Sequence, residues 1–388
     1  MRLAAVLVLL VAVGCSTTST AAVAHSPSAP PTASAPADSP STSSSPTATP
    51  TPYVVTLPDS ASPPAAAPGG CVMPIAWVAD STGSLKAGFL QYPSGTIAPA
   101  VQTLEKTGVA TYDRAVGRWL PVGPQAVSPD GREFAYAEYD MPAAPTAGMY
   151  AGAEPHSAGV LTTTGRVHLM DATTGKDRIL YSGSPTYSVV GFTAAGVYLA
   201  QIGITMDGGF SSGLFLLPVA GGTPVAVPGA GRQMDRNAWN IVNGNAWGSE
   251  FIPGTGGLSS GDELVELDLR TGALTTWLTR PDGTAVYLLG VDASGHPLVL
   301  TFASGYASNG SPIPHPPTQV VAMTSPQRGT VIYQPPDANK YLPLAPAFAN
   351  ARGMWMGGQG SVWVDTADKL TKTPLDTITI VEAGGACE

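Results

Sequence analysis

One unit, a short inner hairpin followed by a second, outer hairpin, is written six times between residues 71 and 388, and no other feature restricts the fold as much. The clearest inner hairpin is 126–137. Its Ser128-Pro129-Asp130-Gly131 puts Pro second and Gly fourth in a type I turn. Phe134 and Tyr136 then alternate with small residues, as a half-buried strand requires. Weaker copies turn at 193–196, Asn243-Gly244, Asp292 to Gly295 and Gly353, and the first copy is expected to pair 75–78 with Phe89-Leu90. Outer hairpins turn near Gly117, at Gly175, at Gly221-Gly222, at Gly272, near Gly329 and near Asp368. These turns recur roughly every 40 to 58 residues, the period of four-stranded blades. A four-stranded sheet cannot bury its faces alone, so the blades must cover one another around an axis. With 45 Gly, 38 Pro and only 12% charged residues, helices are disfavoured and short strands with tight turns are favoured. The expectation is an all-β, six-bladed β-propeller over 71–388, with a count of seven blades left open by the spacing.

Two stretches carry a family resemblance. Ser128 to Gly131 followed by Phe134-Ala135-Tyr136 resembles the repeat of TolB-type and other WD40-like bacterial propellers, and Val265 to Gly272 resembles their outer hairpin. Only one blade shows the motif in full, and the Gly-His and Trp-Asp signatures of true WD40 repeats are missing. The resemblance therefore implies a propeller and no subfamily. Thr377 to Val381 is expected to pair where the ring closes.

The chain starts with one charge, Arg2, and an apolar run through Val13 that is shorter than the about 20 residues a spanning helix needs. It has the layout of a secretory signal. Ala12-Val13-Gly14-Cys15 resembles the lipobox of bacterial lipoproteins, although Ala12 stands where Leu is usual. That resemblance implies a signal peptide over 1–14, acylation of Cys15, and a protein held by lipid on the extracytoplasmic face of the cell membrane. An ordinary cleaved signal with an incidental Cys15 is the alternative. Residues 15–70 are mostly Ser, Thr, Ala and Pro, with almost nothing large to bury. Such a segment is expected to be a disordered, extended stalk, and its hydroxyl density suits O-glycosylation. If Cys15 carries lipid, Cys71 and Cys387 remain as an even pair in an oxidising compartment. A disulfide between them would bring the ends of the domain together; two free thiols are the alternative.

A net charge of −9 without basic runs argues against nucleic acid as partner. The largest inserts fall between the two middle strands of the expected blades, at 141–164, 203–212, 252–261 and 303–317, all on one face. Loops on a rigid scaffold concentrate binding residues. The candidate binding face comprises Tyr150, His156, Met206, Phe210, Tyr306 and His315, with Met149 beside them. Gly209 to Gly213 and Gly257 to Gly261 match the nucleophile-elbow spacing, but a helix should follow and none is signalled. The five histidines share no metal-ligand spacing, and His168 reads as a sheet residue. No catalytic set, metal site or cofactor is expected. The function expected is binding or scaffolding of a protein or cell-envelope polymer. An extracytoplasmic propeller hydrolase or lyase acting on glycans or peptides is the alternative, and a largely structural surface protein a third.

Overall fold

The computed structural model describes residues 55–78, 85–99, 101–104, 109–139, 164–205, 208–230, 233–234, 239–250, 263–280, 284–303, 317–337, 342, 344, 348–366, 369–375 and 380–388. They form an all-β, six-bladed propeller. Blade 1 contains β1 (Cys71–Val78), β2 (Leu85–Tyr92), β3 (Thr96–Ile97) and β4 (Gln102–Leu104). A separate hairpin, β5 (Thr111–Asp113) and β6 (Arg118–Leu120), follows. Blade 2 has β7 (Glu133–Tyr139), β8 (Gly165–Asp171) and β9 (Asp177–Gly183), and its inner strand is the short stretch bridged at Val127↔Phe134. Blade 3 has β10 (Thr186–Thr193), β11 (Gly196–Thr205), β12 (Gly208–Leu217) and β13 (Val225–Ala226); β14 (Gln233–Met234) comes next. Blade 4 has β15 (Asn240–Val242), β16 (Asn245–Glu250), β17 (Glu263–Asp268) and β18 (Leu274–Thr279). Blade 5 has β19 (Thr284–Val291), β20 (Pro297–Ala303), β21 (Gln319–Ser325) and β22 (Arg328–Tyr333). Blade 6 has β23 (Phe348–Asn350), β24 (Gly353–Gly358), β25 (Ser361–Thr366) and β26 (Lys369–Pro374), and β27 (Ile380–Ala383) ends the chain.

The turns form as their side chains dictate. In Ser128 to Gly131 the Gly131 amide closes on the Ser128 carbonyl at 2.9 Å, and Ser128 Oγ accepts from the Glu133 amide. Gly131 sits at φ 71°, a region where a side chain would be strained. Asn243 and Gly244 both have positive φ (52° and 80°), the two-residue turn that matches strand twist. Three outer turns repeat one device. Asp113, Asp171 and Asp268 each accept hydrogen bonds from amides two and three residues on. The β21–β22 turn, expected near Gly329, falls at Pro326-Gln327, with Gln327 at φ 61°.

The ring closes differently from the expected first copy. β1–β2 is not an inner hairpin, because β27 pairs antiparallel with β1 on its free side (Ile75↔Ala383 through Val78↔Ile380). The C-terminal strand is thus the innermost strand of blade 1, and Met73, Ile75, Val381 and Ala383 bury together against Trp355 of blade 6. The expected pairing near Val381 is borne out. The expected outer hairpin of blade 1 is instead β5–β6, a wedge between blades 1 and 2: Tyr112 and Trp119 pack on Phe89, while Leu120 packs on Phe134 and Met170. Trp119 is fully buried, and a Cβ on Gly384 would lie 2.5 Å from its ring. The Tyr112 amide donates to the Gly384 carbonyl at 2.8 Å, stitching the wedge to the C-terminus.

Antiparallel order fixes the two faces of the ring. Turns within inner and outer hairpins lie on one face, called here the turn face; connections between the middle strands lie on the other, the insert face. β1 enters from the turn face and β27 returns to it, so both ends of the domain meet there. Cys71 and Cys387 are joined, with an S–S distance of 2.07 Å and Cα atoms 5.5 Å apart. Residues 55–67, assigned to the stalk by composition, lie along this face in hydrogen-bonded contact with blade 1 and the wedge. Among the described residues no helix is long and apolar enough to cross a membrane.

Candidate functional site

The insert face is uneven. The connections of blades 2, 4 and 5 between Tyr139 and Gly165, Glu250 and Glu263, and Ala303 and Gln319 are long, whereas blade 6 turns directly from Gly358 to Ser361. Blade 3 corrects an expectation. Residues 203–212 are not a loop insert: β11 and β12 pair out to Thr205↔Gly208. Gly and Ser pair as well as any residue through the backbone, and here they extend a hairpin toward β14, which joins β12 to β16 of blade 4. The elbow-like Gly209 to Gly213 is part of this strand, with no turn or helix after it, and it has no elbow geometry. Phe210 lies on β12 opposite Gly203, with its side chain outside the described residues. Tyr150, His156, Met206, Tyr306, His315 and Cys15 all fall outside the described residues.

What the described residues place at the root of the largest insert is a polar cluster on blade 2. Along β7, Phe134, Tyr136 and Glu138 share one side; on β8, Met170, His168 and Arg166 stand directly opposite them. The inner end of this row is apolar and packs on the wedge through Phe134 and Met170. Toward the insert it becomes charged. On the other side Ala135, Val167 and Leu169 are buried against blade 3.

His168 is buried (6% exposed) with its ring stacked on Tyr136, centroids 4.6 Å apart and planes 11° off parallel. Its Nδ1 lies 2.8 Å from Asp177 Oδ2, which also accepts from the Tyr136 hydroxyl at 3.2 Å. Its Nε2 lies 3.4 Å from Glu138 Oε1, and Arg166 pairs with the same oxygen. Burial works against the charge on Glu138, but the hydrogen bonds and positive charges of Arg166 and His168 outweigh it and hold the carboxyl below its ordinary value. The imidazole is therefore fixed between two carboxylates, at the point where chain 140–163 leaves and re-enters the blade. Such a cluster can hold the insert's two ends in one geometry, and it can move a proton between nitrogen and carboxylate.

Sequence reasoning placed His168 in a sheet and missed the rest. Tyr136 and Glu138 on one strand, and Arg166 and His168 on the next, alternate with small or apolar residues, and that was the available signal. Only the register of three strands unites them. Glu382, on the innermost strand β27, is a second half-buried carboxyl, and desolvation pushes its pKa up. Among the described residues no group of three or more His, Cys, Asp or Glu is placed to hold a metal ion.

No protein-family model and no curated protein matches the chain. Among solved structures, TolB from Acinetobacter baumannii is similar at 10% identity and TM-score 0.42, over 80% of this chain and 65% of that one. A prolyl endopeptidase is similar at 10% identity and TM-score 0.39, over 81% of this chain and 43% of that one. For a putative dipeptidyl aminopeptidase IV from Bacteroides ovatus the values are 11% and 0.41, over 79% and 51%. The chain thus spans less than two thirds of the length of each of these proteins.

Proposed function

We propose that this is a lipid-anchored cell-envelope protein that presents the insert face of a propeller to a protein or envelope-polymer partner. One observation carries the reading. Cys71 and Cys387 meet on the turn face, whereas the long connections of blades 2, 4 and 5 start from the opposite face. A tether at one end and the variable segments at the other is the arrangement a displayed binding module needs. The blade 2 cluster supports it by fixing both ends of the largest insert. Acylation at Cys15 would supply the attachment, at about 0.8 kcal/mol per buried methylene.

The test is crosslinking and recovery of the intact protein from its membrane, beside a variant whose residues 142–162 are replaced by a short turn. Specific recovery of a partner with the first and not the second supports the reading. Recovery of nothing, together with turnover of a wall glycan or peptide, overturns it in favour of an enzyme. The observation that favours that second reading is His168 held between Asp177 and Glu138, and turnover abolished by His168→Gln would assign the chemistry there. Cys15→Ser should release the protein from the membrane fraction.

A further inference from the structure

The turn face contains a built contact of its own. Residues 59–67 cross blade 1 and the wedge in extended form, and each of their ordered polar contacts is made by their main chain. Gln102 Nε2 donates to the Asp59 carbonyl at 3.0 Å. The Ala61 amide donates to the Gly117 carbonyl at 2.8 Å, and the Tyr112 hydroxyl donates to the Ala61 carbonyl at 2.7 Å. Further on, the Gln91 amide group reads two peptide units at once: Nε2 donates to the Ala65 carbonyl at 3.0 Å, and Oε1 accepts from the Ala67 amide at 3.3 Å. Ser60 bridges Arg118 antiparallel, so the segment begins to add a strand to the edge of β6.

From this geometry we infer that the turn face carries a binding groove for an extended, Ala/Ser/Pro-rich polypeptide, and that residues 59–67 of this chain are its occupant. Recognition that runs through carbonyls and amides selects backbone shape and small side chains over particular residues, the logic of strand addition. Pro63-Pro64, between the two anchor points, has fixed φ and no amide donors, so little ordering entropy is lost there. The Tyr112 hydroxyl, on a residue 6% exposed, faces this segment rather than solvent. The same composition recurs upstream at Ser28-Ala29-Pro30-Pro31, so the stalk of a second copy is the competing ligand. The inference stands apart from the binding role given to the insert face, and its failure would leave that role untouched.

Hydrogen exchange on the full chain tests it. The amides of Ala61 and Ala67 should exchange well below coil rates. Gln91→Ala should speed Ala67 by roughly tenfold or more while leaving Ala61 nearly unchanged, because one contact is removed and the other kept. Ala61→Pro removes the central donor; the full-length variant should then bind a fluorescent peptide of residues 55–68 at least about tenfold more tightly than the wild type, whose groove is filled in cis. Coil-rate exchange at both amides in the wild type would overturn the groove. So would absence of peptide binding to the Ala61→Pro protein. Protection that appears only with rising protein concentration, alongside a dimer in sedimentation, would overturn the assignment of the chain's own segment as occupant.

Discussion

The two faces of the propeller are made by different rules. On the turn face, short-range chemistry decides the structure: Asp113, Asp171 and Asp268 cap their own turns, and Gly131 sits where only glycine is at ease. The same face carries the longest-range connection in the molecule, the disulfide across a sequence separation of 316. On the insert face the blades end in connections of unequal length whose sequences prescribe no turn, and what is built there is the root, such as Tyr136, Glu138, Arg166, His168 and Asp177. The lesson is a division of labour. On one face lie the capped turns and the disulfide that closes the ring, and on the other the long connections and the polar root beneath them.

The sharpest way to break that division is to cut the clasp. Cys71→Ser with Cys387→Ser should cost about 6 kcal/mol in the chain-entropy picture, read as a large fall in Tm, and non-reducing mass spectrometry should find the two cysteine peptides joined in the wild type. Next comes the seam. Gly384→Ala puts a Cβ 2.5 Å from the Trp119 ring and should cost about 1 to 3 kcal/mol; the penalty should shrink in a Trp119→Leu background, a coupling that a double-mutant cycle measures.

Smaller effects carry opposite signs. The Asp171 and Asp268 carboxyls are held below their ordinary value by the turn amides, so their stabilisation is present above the unfolded pKa near 4 and is lost as pH falls through the folded value. Asp171→Asn with Asp268→Asn should flatten the acid limb of a Tm-versus-pH profile. Burial raises the Glu382 carboxyl, so its ionised form is penalised as pH rises through the folded value. Glu382→Gln should therefore raise Tm at neutral pH and change nothing in acid. Last, replacing 142–162 by a short turn should leave stability within about 0.5 kcal/mol while abolishing partner capture. A large loss of stability from that replacement would erase the distinction between the faces.

Much of the ring was legible because hairpins are local. The turns at Asn243-Gly244, Asp292 to Gly295 and Gly353 connect the strands their sequences indicate. What escaped was non-local. The unbroken apolar run of 71–78 declares a buried strand but not its second neighbour, and that neighbour, β27, lies more than 300 residues on in sequence. The β5–β6 hairpin shares its Asp-to-Gly turn with the outer hairpins of blades 2 and 4, so by sequence it belonged to blade 1; packing makes it a wedge instead. Residues 203–212 looked like a loop because Gly and Ser have weak strand preference, yet pairing needs only their backbones. The blade 2 cluster was invisible for a related reason: its members come from three strands, and composition cannot reveal a cross-strand register.

That the innermost strand of blade 1 follows all the other blades in sequence has a consequence for how the ring forms. Of the described strands, synthesis delivers β1 first and β27 last, so one edge of β1 stays unpaired until β27 arrives. Closing the ring therefore joins segments of maximal sequence separation, the slowest kind of contact to form. Until β27 docks, β1 presents an open, adhesive edge, and a variant lacking residues 380–383 would keep that edge exposed.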